Sequence, residues 1–301
     1  MHRTPAAALA VTLAGCGFRD APGDPIAMAH RGGAASWPEN SRTAVAGALE
    51  AGVQGIEVDL FLTGDRVPVL VHDAWLPPAT CETIDGEPIT ERVYLLEHTL
   101  EELDAGWRCG VAPDPEFPKA EVVPDTLMTL EELIVALEPH PDVTVQLDVK
   151  YWPGISHDPE VFAAEILERW WAAEVPNPMY LSGFSPEQSR AFQQRAADRG
   201  REVETWLTWP FFPLESNATT TAIGHELAAS VGLSDLVAAA DDARATGLDL
   251  PWQLMDRRLI EGAHDMGLGV AVWTVNDARL YRQMEKWPVD VIISDHIGGP
   301  Q

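Results

Sequence analysis

The fold is decided by three short stretches of sequence: Ile26-Ala27-Met28-Ala29-His30-Arg31-Gly32, Gly55-Ile56-Glu57-Val58-Asp59-Leu60 and Val67-Pro68-Val69-Leu70-Val71-His72-Asp73. Each stretch is an apolar run typical of a buried strand, and charged or titratable side chains end or interrupt it. An ionised group in apolar surroundings costs several kcal/mol unless it is paired or bound to a metal. Three such intrusions close together in the chain therefore predict one shared site at one end of a sheet.

The polar side chains of these stretches predict metal-assisted attack on an anionic substrate. Glu57 and Asp59 lie two apart on one strand, so they point to the same face and their charges repel. A divalent cation is the usual remedy for such repulsion. His30 and His72 can serve as acid and base around neutral pH. Arg31 is placed to hold the anion.

Each motif taken alone also has a purely structural interpretation. A His-Arg-Gly tripeptide is mostly a chance occurrence, and Glu-x-Asp on a strand is more often a solvated rim or an ion-pair partner. The His72-Asp73 pair also fits a turn cap. The conjunction of the three motifs, in this order and at strand ends, favours the functional interpretation.

The alternation of apolar β-rich runs with helical patterns is the signature of parallel α/β architecture. The 301 residues, of which 46% are hydrophobic, suffice for one barrel of ~250 residues with an insertion. We therefore predict a TIM-type (β/α)8 barrel. The candidate strands are 26–30, 55–61, 67–72, 143–149, 179–184, 203–208, 247–250, 269–275 and 290–294, and the candidate helices 41–51, 129–138, 159–174, 186–199, 226–245, 256–266 and 278–286. One strand is then in excess, and 247–250 is expected to lie outside the barrel or to be too short to count as a strand.

The alternation breaks between Asp73 and Val123, where Pro77-Pro78, Asp85-Gly86 and Pro113-Asp114-Pro115 are loop chemistry. We predict that residues 74–123 form an insertion after the His72 strand, covering or shaping the substrate pocket. It would belong to a single domain over residues 26–301.

The first residues resemble a lipoprotein signal, with a short basic start, an apolar run and Leu13-Ala14-Gly15-Cys16 matching the bacterial lipobox. We predict a signal peptide over 1–15, lipidation at Cys16 and a tether over 16–25. An ordinary secretory signal or a stray apolar start remains the alternative. The protein would be exported and lipid-anchored to a bacterial membrane, on its periplasmic or extracellular face.

Two further cysteines, Cys81 and Cys109, both lie in the predicted insertion. Export to an oxidising compartment would favour a disulfide between them. Two unpaired, partly buried thiols are an equally good interpretation of the sequence.

The formal net charge of −27 argues against nucleic acid as a partner, because phosphate backbones would be repelled. The same charge means that an anionic substrate needs local compensation, from Arg31, Lys150 and a metal ion.

The stretch from Ala29 to Asp73 resembles the glycerophosphodiester phosphodiesterase family, a member of the phospholipase C-like phosphodiesterase superfamily of TIM barrels. The matching motifs are Ala29-His30-Arg31-Gly32-Gly33, Pro38-Glu39-Asn40-Ser41, Glu57-x-Asp59 and Pro68-Val69-x-x-His72-Asp73, followed later by Thr129–Leu133, Gln146–Lys150, Leu181–Phe184, Trp273–Asn276 and Asp290–Asp295.

The resemblance implies hydrolysis of glycerophosphodiesters, or of lysophospholipids, to glycerol 3-phosphate and an alcohol. Glu57, Asp59 and Asp148 would bind one divalent cation, calcium or magnesium, because all the ligands are oxygen. His30 and His72 would be the acid and base, with Arg31 and Lys150 on the phosphate. Trp273 and Phe184 would line the substrate pocket, although each is as often plain core.

Two departures from the family pattern weaken the substrate prediction. Asp148 stands where the family usually has Glu, which retracts the carboxylate by roughly 1.5 Å. Pro78-Ala79-Thr80 replaces the family's Arg-Thr-Thr. Asp148 and the anchor favour a phospholipase D-like or sphingomyelinase D-like enzyme on intact or lyso lipids as the alternative. A non-catalytic, lipid-anchored binding protein is a third interpretation.

Overall fold

Eight parallel strands close into a barrel in the computed structural model, which describes residues 23–209 and 232–300. The first strand of the chain pairs with both the second and the last, and this closes the sheet. All strands of the described residues are, in chain order, β1 (Ile26–Ala29), β2 (Gly55–Leu62), β3 (Pro68–Leu70), β4 (Cys81–Thr83), β5 (Trp107–Cys109), β6 (Thr144–Val149), β7 (Met179–Gly183), β8 (Glu204–Thr208), β9 (Gly247–Pro251), β10 (Gly269–Trp273) and β11 (Val291–Ser294). The predicted TIM-type barrel is confirmed.

Helices connect the barrel strands, as the predicted alternation requires. They are α1 (Arg42–Glu50), α2 (Leu100–Gly106), α3 (Leu130–Leu137), α4 (Pro159–Ala172), α5 (Pro186–Asp198), α6 (Leu233–Ala243), α7 (Arg257–Asp265) and α8 (Ala278–Met284). Their starts follow local chemistry, because the hydroxyls of Ser41 and Ser185 accept hydrogen bonds from the first turns of α1 and α5. None of the helices in the described ranges is long and apolar enough to cross a membrane.

Three predictions fall on residues outside the described ranges. These are the signal over 1–15, lipidation at Cys16 and residues 226–231 of the predicted helix 226–245. Most of the predicted tether over 16–25 lies there as well.

The predicted excess strand was assigned wrongly. β9 lies inside the barrel between β8 and β10 and pairs with both in parallel. The strand outside the barrel is β3, which pairs antiparallel with the end of β2. The connection from Leu62 to Pro68 explains this, because a parallel crossover needs a dozen or more residues and this one is much shorter.

The lower half of the barrel is filled by apolar side chains around two stacked aromatic rings. Tyr180 and Trp206 stack with their ring centroids 4.5 Å apart. Glycines on two adjacent strands, Gly247 and Gly269, make room for the Trp206 ring, since a Cβ on Gly269 would lie 2.7 Å from it. The residues of this apolar plug are Met28, Tyr180, Trp206, Ala271, Val291 and Ile293.

Residues 74–123 contain a separate two-stranded antiparallel sheet, β4 and β5, in which Cys81 pairs with Cys109. A disulfide joins these two cysteines. The segment packs on the loop after β1: Glu121 N–H donates to Ser36 O at 2.9 Å, and Gly110 lies against Pro38. It therefore adjoins the loop that leads to Glu39 and Asn40.

Candidate active site

The sequence-predicted polar residues converge on the mouth formed by the carboxyl ends of the barrel strands, where TIM-barrel active sites lie. His30 follows β1 directly, and Glu57 and Asp59 project from β2. Asp148 lies in register beside Asp59 on the neighbouring strand β6, with Lys150 one residue beyond that strand.

His72 reaches this mouth through the hairpin and not through a barrel strand of its own. β2 extends beyond the mouth to Leu62, and β3 returns alongside it. Val71 N–H then donates to Asp59 O at 3.1 Å, which brings His72 back to the level of Asp59. His72 Nδ1 lies 3.2 Å from Asp73 Oδ1.

Three buried carboxylates form the centre of the site. Glu57, Asp59 and Asp148 each offer an oxygen within 4.8 Å of the others. Burial and the neighbouring Asp59 raise the pKa of Glu57 to about 8. Such crowding of acids, all with oxygen donors, fits a hard divalent cation such as calcium or magnesium.

Two positively charged side chains, Lys150 and Arg31, lie against these carboxylates. Lys150 Nζ forms ion pairs with Asp59 Oδ1, at 3.0 Å, and with Asp148 Oδ2. Burial lowers the pKa of Lys150, but the carboxylates of Asp148 and Asp59 outweigh this and raise it above its usual value. Arg31 pairs with Glu39 at 2.5 Å and with Asp59 at 3.3 Å. The site thus carries fixed positive charge on two sides.

The loop after β1 adopts an unusual backbone that brings Arg31 close to the carboxylates. Arg31 has a left-handed φ of 52°, and its N–H donates to Glu57 Oε2 at 2.7 Å. Gly32 follows at φ 78°, where a Cβ would lie 2.9 Å from Ala44 Cβ. The glycine is required on both counts.

Asn40, on the same loop, braces Asp59 from the other side. Its Nδ2 donates to Asp59 Oδ2 at 2.8 Å, and its Oδ1 accepts from Asp59 N–H at 3.0 Å. Both ends of the Asn40 amide are therefore used on a single residue of the site.

His30 is held between two carboxylates. Its Nδ1 hydrogen-bonds Asp295 Oδ1 at 2.7 Å, and its Nε2 lies 3.8 Å from Glu57 Oε2. Burial opposes protonation, but Asp295 and Glu57 prevail and raise the pKa of His30 to about 9. Asn276 Nδ2 donates in turn to Asp295 Oδ2 at 2.5 Å.

The two aromatic candidates lie at the same mouth. The Phe184 ring centroid is 4.8 Å from Lys150 Nζ, a cation–π distance. Trp273 ends β10 and packs on the apolar plug of the barrel, and its buried Nε1 has no hydrogen-bond partner among the described residues.

A buried polar chain beneath the carboxylates was not predicted from the sequence. Ser182 and Gln146 link Asp148 to Asp249 through hydrogen bonds of 2.9 Å each. Gln146 was detectable, since it shares the face of Asp148 by the two-residue period of a strand. Asp249 was missed because its strand had been placed outside the barrel.

The fold and site together define a class: a (β/α)8 barrel with a buried carboxylate triad between two histidines at its mouth. Residues 30–299 match the model of the glycerophosphoryl diester phosphodiesterase family. The chain belongs to this family.

Individual relatives agree with this assignment. Human glycerophosphodiester phosphodiesterase 1 is 47% identical over 189 residues, 60% of this chain and 48% of that protein. The chain spans about half the length of this and of the first mycobacterial relatives it matches.

Two solved structures share the fold. The putative glycerophosphoryl diester phosphodiesterase of Silicibacter pomeroyi has a TM-score of 0.76 at 24% identity, covering 94% of this chain and 93% of its own. A phosphodiesterase of Oleispira antarctica, solved with the product sn-glycerol-3-phosphate, has a TM-score of 0.65 at 20% identity, covering 91% and 94%.

Proposed function

We propose that this protein is a metal-dependent hydrolase of glycerophosphodiesters that releases glycerol 3-phosphate and an alcohol. One observation carries the proposal: Glu57, Asp59 and Asp148 converge within 4.8 Å at the barrel mouth that His30 and His72 flank. Family membership and the product bound to the Oleispira antarctica relative support this substrate class.

The chain's own residues supply binding and proton transfer in this proposal. Lys150 and Arg31 lie where they can hold a phosphodiester against the carboxylate triad. One histidine takes the proton of a glycerol hydroxyl as that oxygen attacks phosphorus, and the other protonates the departing alcohol. Water then opens the resulting cyclic phosphate, and the two histidines exchange roles.

A divalent cation held by Glu57, Asp59 and Asp148 would neutralise phosphate charge and lower the pKa of the attacking hydroxyl. Lys150 and Arg31 would add electrostatic stabilisation from fixed positions, usually the largest share of such rate acceleration.

A substrate panel tests the proposed activity. Glycerophosphocholine, a lysophospholipid and sphingomyelin are each incubated with the protein, with and without a chelator. We expect turnover of glycerophosphocholine that the chelator abolishes and that calcium or magnesium restores. Full turnover after exhaustive chelation and confirmed metal loss would exclude the cation role.

The panel also separates a second candidate, which the shorter carboxylate of Asp148 favours. A phospholipase D-like or sphingomyelinase D-like enzyme would act on the intact or lyso lipid and spare glycerophosphocholine. That result would replace the proposed substrate but keep the cation and the two histidines.

His30→Ala and His72→Ala are each expected to lower kcat by ~10² or more, the usual scale for a general acid or base. His157→Ala is the matched control, because His157 lies outside the site. Its Nε2 hydrogen-bonds Thr63 O at a distance of 2.8 Å. Circular dichroism verifies folding. Near-normal turnover of both folded site variants would exclude a two-histidine mechanism.

We further propose that the protein is exported and lipid-anchored through Cys16. The lipobox-like Leu13-Ala14-Gly15-Cys16 supports this, and so does a disulfide, which suits an oxidising compartment. Incorporation of labelled fatty acid into the wild type, and none into Cys16→Ala, is the expected result in a bacterial host. Equal release of both proteins as soluble, unlabelled chains would contradict the anchor.

A further inference from the structure

A serine beneath the proposed cation site has a hydrogen bond whose direction is fixed by its neighbours. Ser182 lies directly opposite Asp148 across the β6–β7 pair, and Gln146 lies opposite Tyr180 in the same register. All four side chains are buried. The Ser182 hydroxyl lies 2.9 Å from Asp148 Oδ1.

The proton of each bond in this chain can be assigned by counting donors. The Tyr180 hydroxyl has two acceptors in reach, Gln146 Oε1 at 2.7 Å and the weak acceptor Met28 Sδ at 3.7 Å, and its single proton goes to the amide oxygen. The Gln146 amide therefore presents its two N–H groups elsewhere. One goes to Asp249 Oδ2 and the other to Ser182 Oγ, each at 2.9 Å. Ser182 has a single proton and already accepts from Gln146, so it donates that proton to Asp148.

The Asp148 carboxylate therefore has a different partner at each of its two oxygens. Lys150 contacts its Oδ2, and Ser182 holds its Oδ1. Without the serine, the ion pair with Lys150 would be free to rotate the carboxylate. A carboxylate oxygen that accepts one hydrogen bond still has a lone pair for a metal, so the serine does not compete with a cation.

We propose that Ser182, oriented by Gln146, is a positioning residue that aims the Asp148 carboxylate at the cation site. The inference rests on the cation-binding role proposed above. Hydrogen-bond partners behind metal ligands typically change metal affinity by 10- to 100-fold when removed.

The test is a calorimetric titration of chelator-stripped protein with calcium and with magnesium, which needs no turnover. Ser182→Ala is expected to raise the cation Kd by ~10-fold or more. Ser182→Cys leaves no cavity and carries only a weak donor, so it tests the hydrogen bond even where the alanine variant does not fold.

Ser189→Ala is the matched control. Ser189 is also buried, and its hydroxyl bonds Thr205 Oγ1 at 2.7 Å, so the control removes a comparable hydroxyl pair outside the site. Its Kd should stay within about twofold of wild type. Equal weakening in the control, or an unchanged Kd in the folded Ser182 variants, overturns the inference.

A double variant shows whether Ser182 acts through Asp148. Asp148→Glu moves the carboxylate roughly 1.5 Å further from its backbone, out of the reach of the serine. Adding Ser182→Ala to Asp148→Glu should then change Kd by less than about threefold. An undiminished effect overturns the inference. A wild type that binds neither cation instead overturns the proposed function, together with this inference.

Discussion

Among single residues, Asp295 is expected to fix the orientation of the His30 ring. It accepts the hydrogen bond from His30 Nδ1–H and is itself held by Asn276. This bond sets which ring nitrogen faces the site. Asp295→Asn is expected to lower kcat by ~10- to 100-fold, as is usual for a group that orients a catalytic side chain. KM should change little, because Asp295 lies behind the histidine. Steady-state kinetics measures both constants.

Asp290→Asn is the matched control for that variant. Asp290 Oδ2 also lies 2.9 Å from a histidine nitrogen, His264 Nε2, but this pair is remote from the barrel mouth. A loss of kcat in Asp290→Asn equal to that in Asp295→Asn would point to general destabilisation rather than orientation of His30.

Asp249 predicts a pH dependence of stability. Burial first, and then the charge of Asp148, raise the pKa of Asp249 to about 7, against the lowering effects of Gln146, Lys150 and His30. In the unfolded chain the group ionises near 3.9. A raised folded pKa means that stability is lost as pH rises from about 4 to 7, and the loss is complete above the folded pKa.

Asp249→Asn should remove that loss, since Asn keeps an acceptor for Gln146 without an ionisable group. The variant is expected to match wild type near pH 4 and to exceed it at pH 8 by ~4 kcal/mol in the free energy of unfolding. Urea unfolding in chelator across this range measures the difference. The exposed Asp142→Asn is the control. A gap that does not widen with pH would contradict the assignment.

At the level of secondary-structure elements, the β2–β3 hairpin and the disulfide-linked sheet position the residues around the barrel mouth. The hairpin returns His72 to the level of Asp59. Gly110, which follows β5, packs against Pro38 in the loop after β1. The next two residues of that loop contact the site: Glu39 pairs with Arg31, and Asn40 hydrogen-bonds Asp59. Both additions emerge from the end of β2 and precede α3.

The disulfide of that sheet is expected to contribute ~3 kcal/mol to stability, for a cysteine separation of 28 residues. Replacing both cysteines, Cys81→Ser with Cys109→Ser, should lower the free energy of unfolding by that amount. A reducing agent should bring wild type down to the level of the variant and leave the variant unchanged. Chemical denaturation under both conditions measures this, and insensitivity of the wild type to reductant would contradict it.

At the scale of the whole molecule, net charge and the buried carboxylate triad act in the same direction. The chain carries a formal charge of −27, and three acids share one pocket. Self-repulsion of this kind destabilises the compact state and is reduced by counter-ions. A bound divalent cation would relieve the repulsion at its strongest point.

Removing divalent cations should therefore lower the unfolding temperature. At a cation concentration of 100 times Kd, binding contributes ~2.7 kcal/mol, or about 5–10 °C for a chain of this size. Differential scanning fluorimetry with calcium, against sodium chloride of equal ionic strength, separates binding from screening. Glu57→Gln with Asp59→Asn should lose the calcium response and keep the salt response. Equal responses to both salts in wild type would exclude a specific cation site.

Local sequence patterns were sufficient to predict most of the fold and the centre of the site. Apolar strand runs, helix caps at Ser41 and Ser185, and the alternation of strands and helices depend on near neighbours in the chain. Glu57 and Asp59 share a face for the same reason. These features follow from the periods of strand and helix and from backbone hydrogen bonding, so the barrel and the strand ends that bear its polar groups could be predicted from local sequence.

Pairing between distant segments could not be predicted from local sequence, because it depends on how the whole sheet closes. The sequence predicts strands at both 67–72 and 247–250 without showing which of them enters the barrel. Only closure of the sheet assigned β9 to the barrel and β3 to the hairpin. The bonds from Asp295 to His30 and from Ser182 to Asp148 join strands far apart in the chain. Both bonds depend on the register of the strands around the closed barrel. That register cannot be predicted from the period of side chains along one strand, because each strand is positioned by its neighbours on both sides.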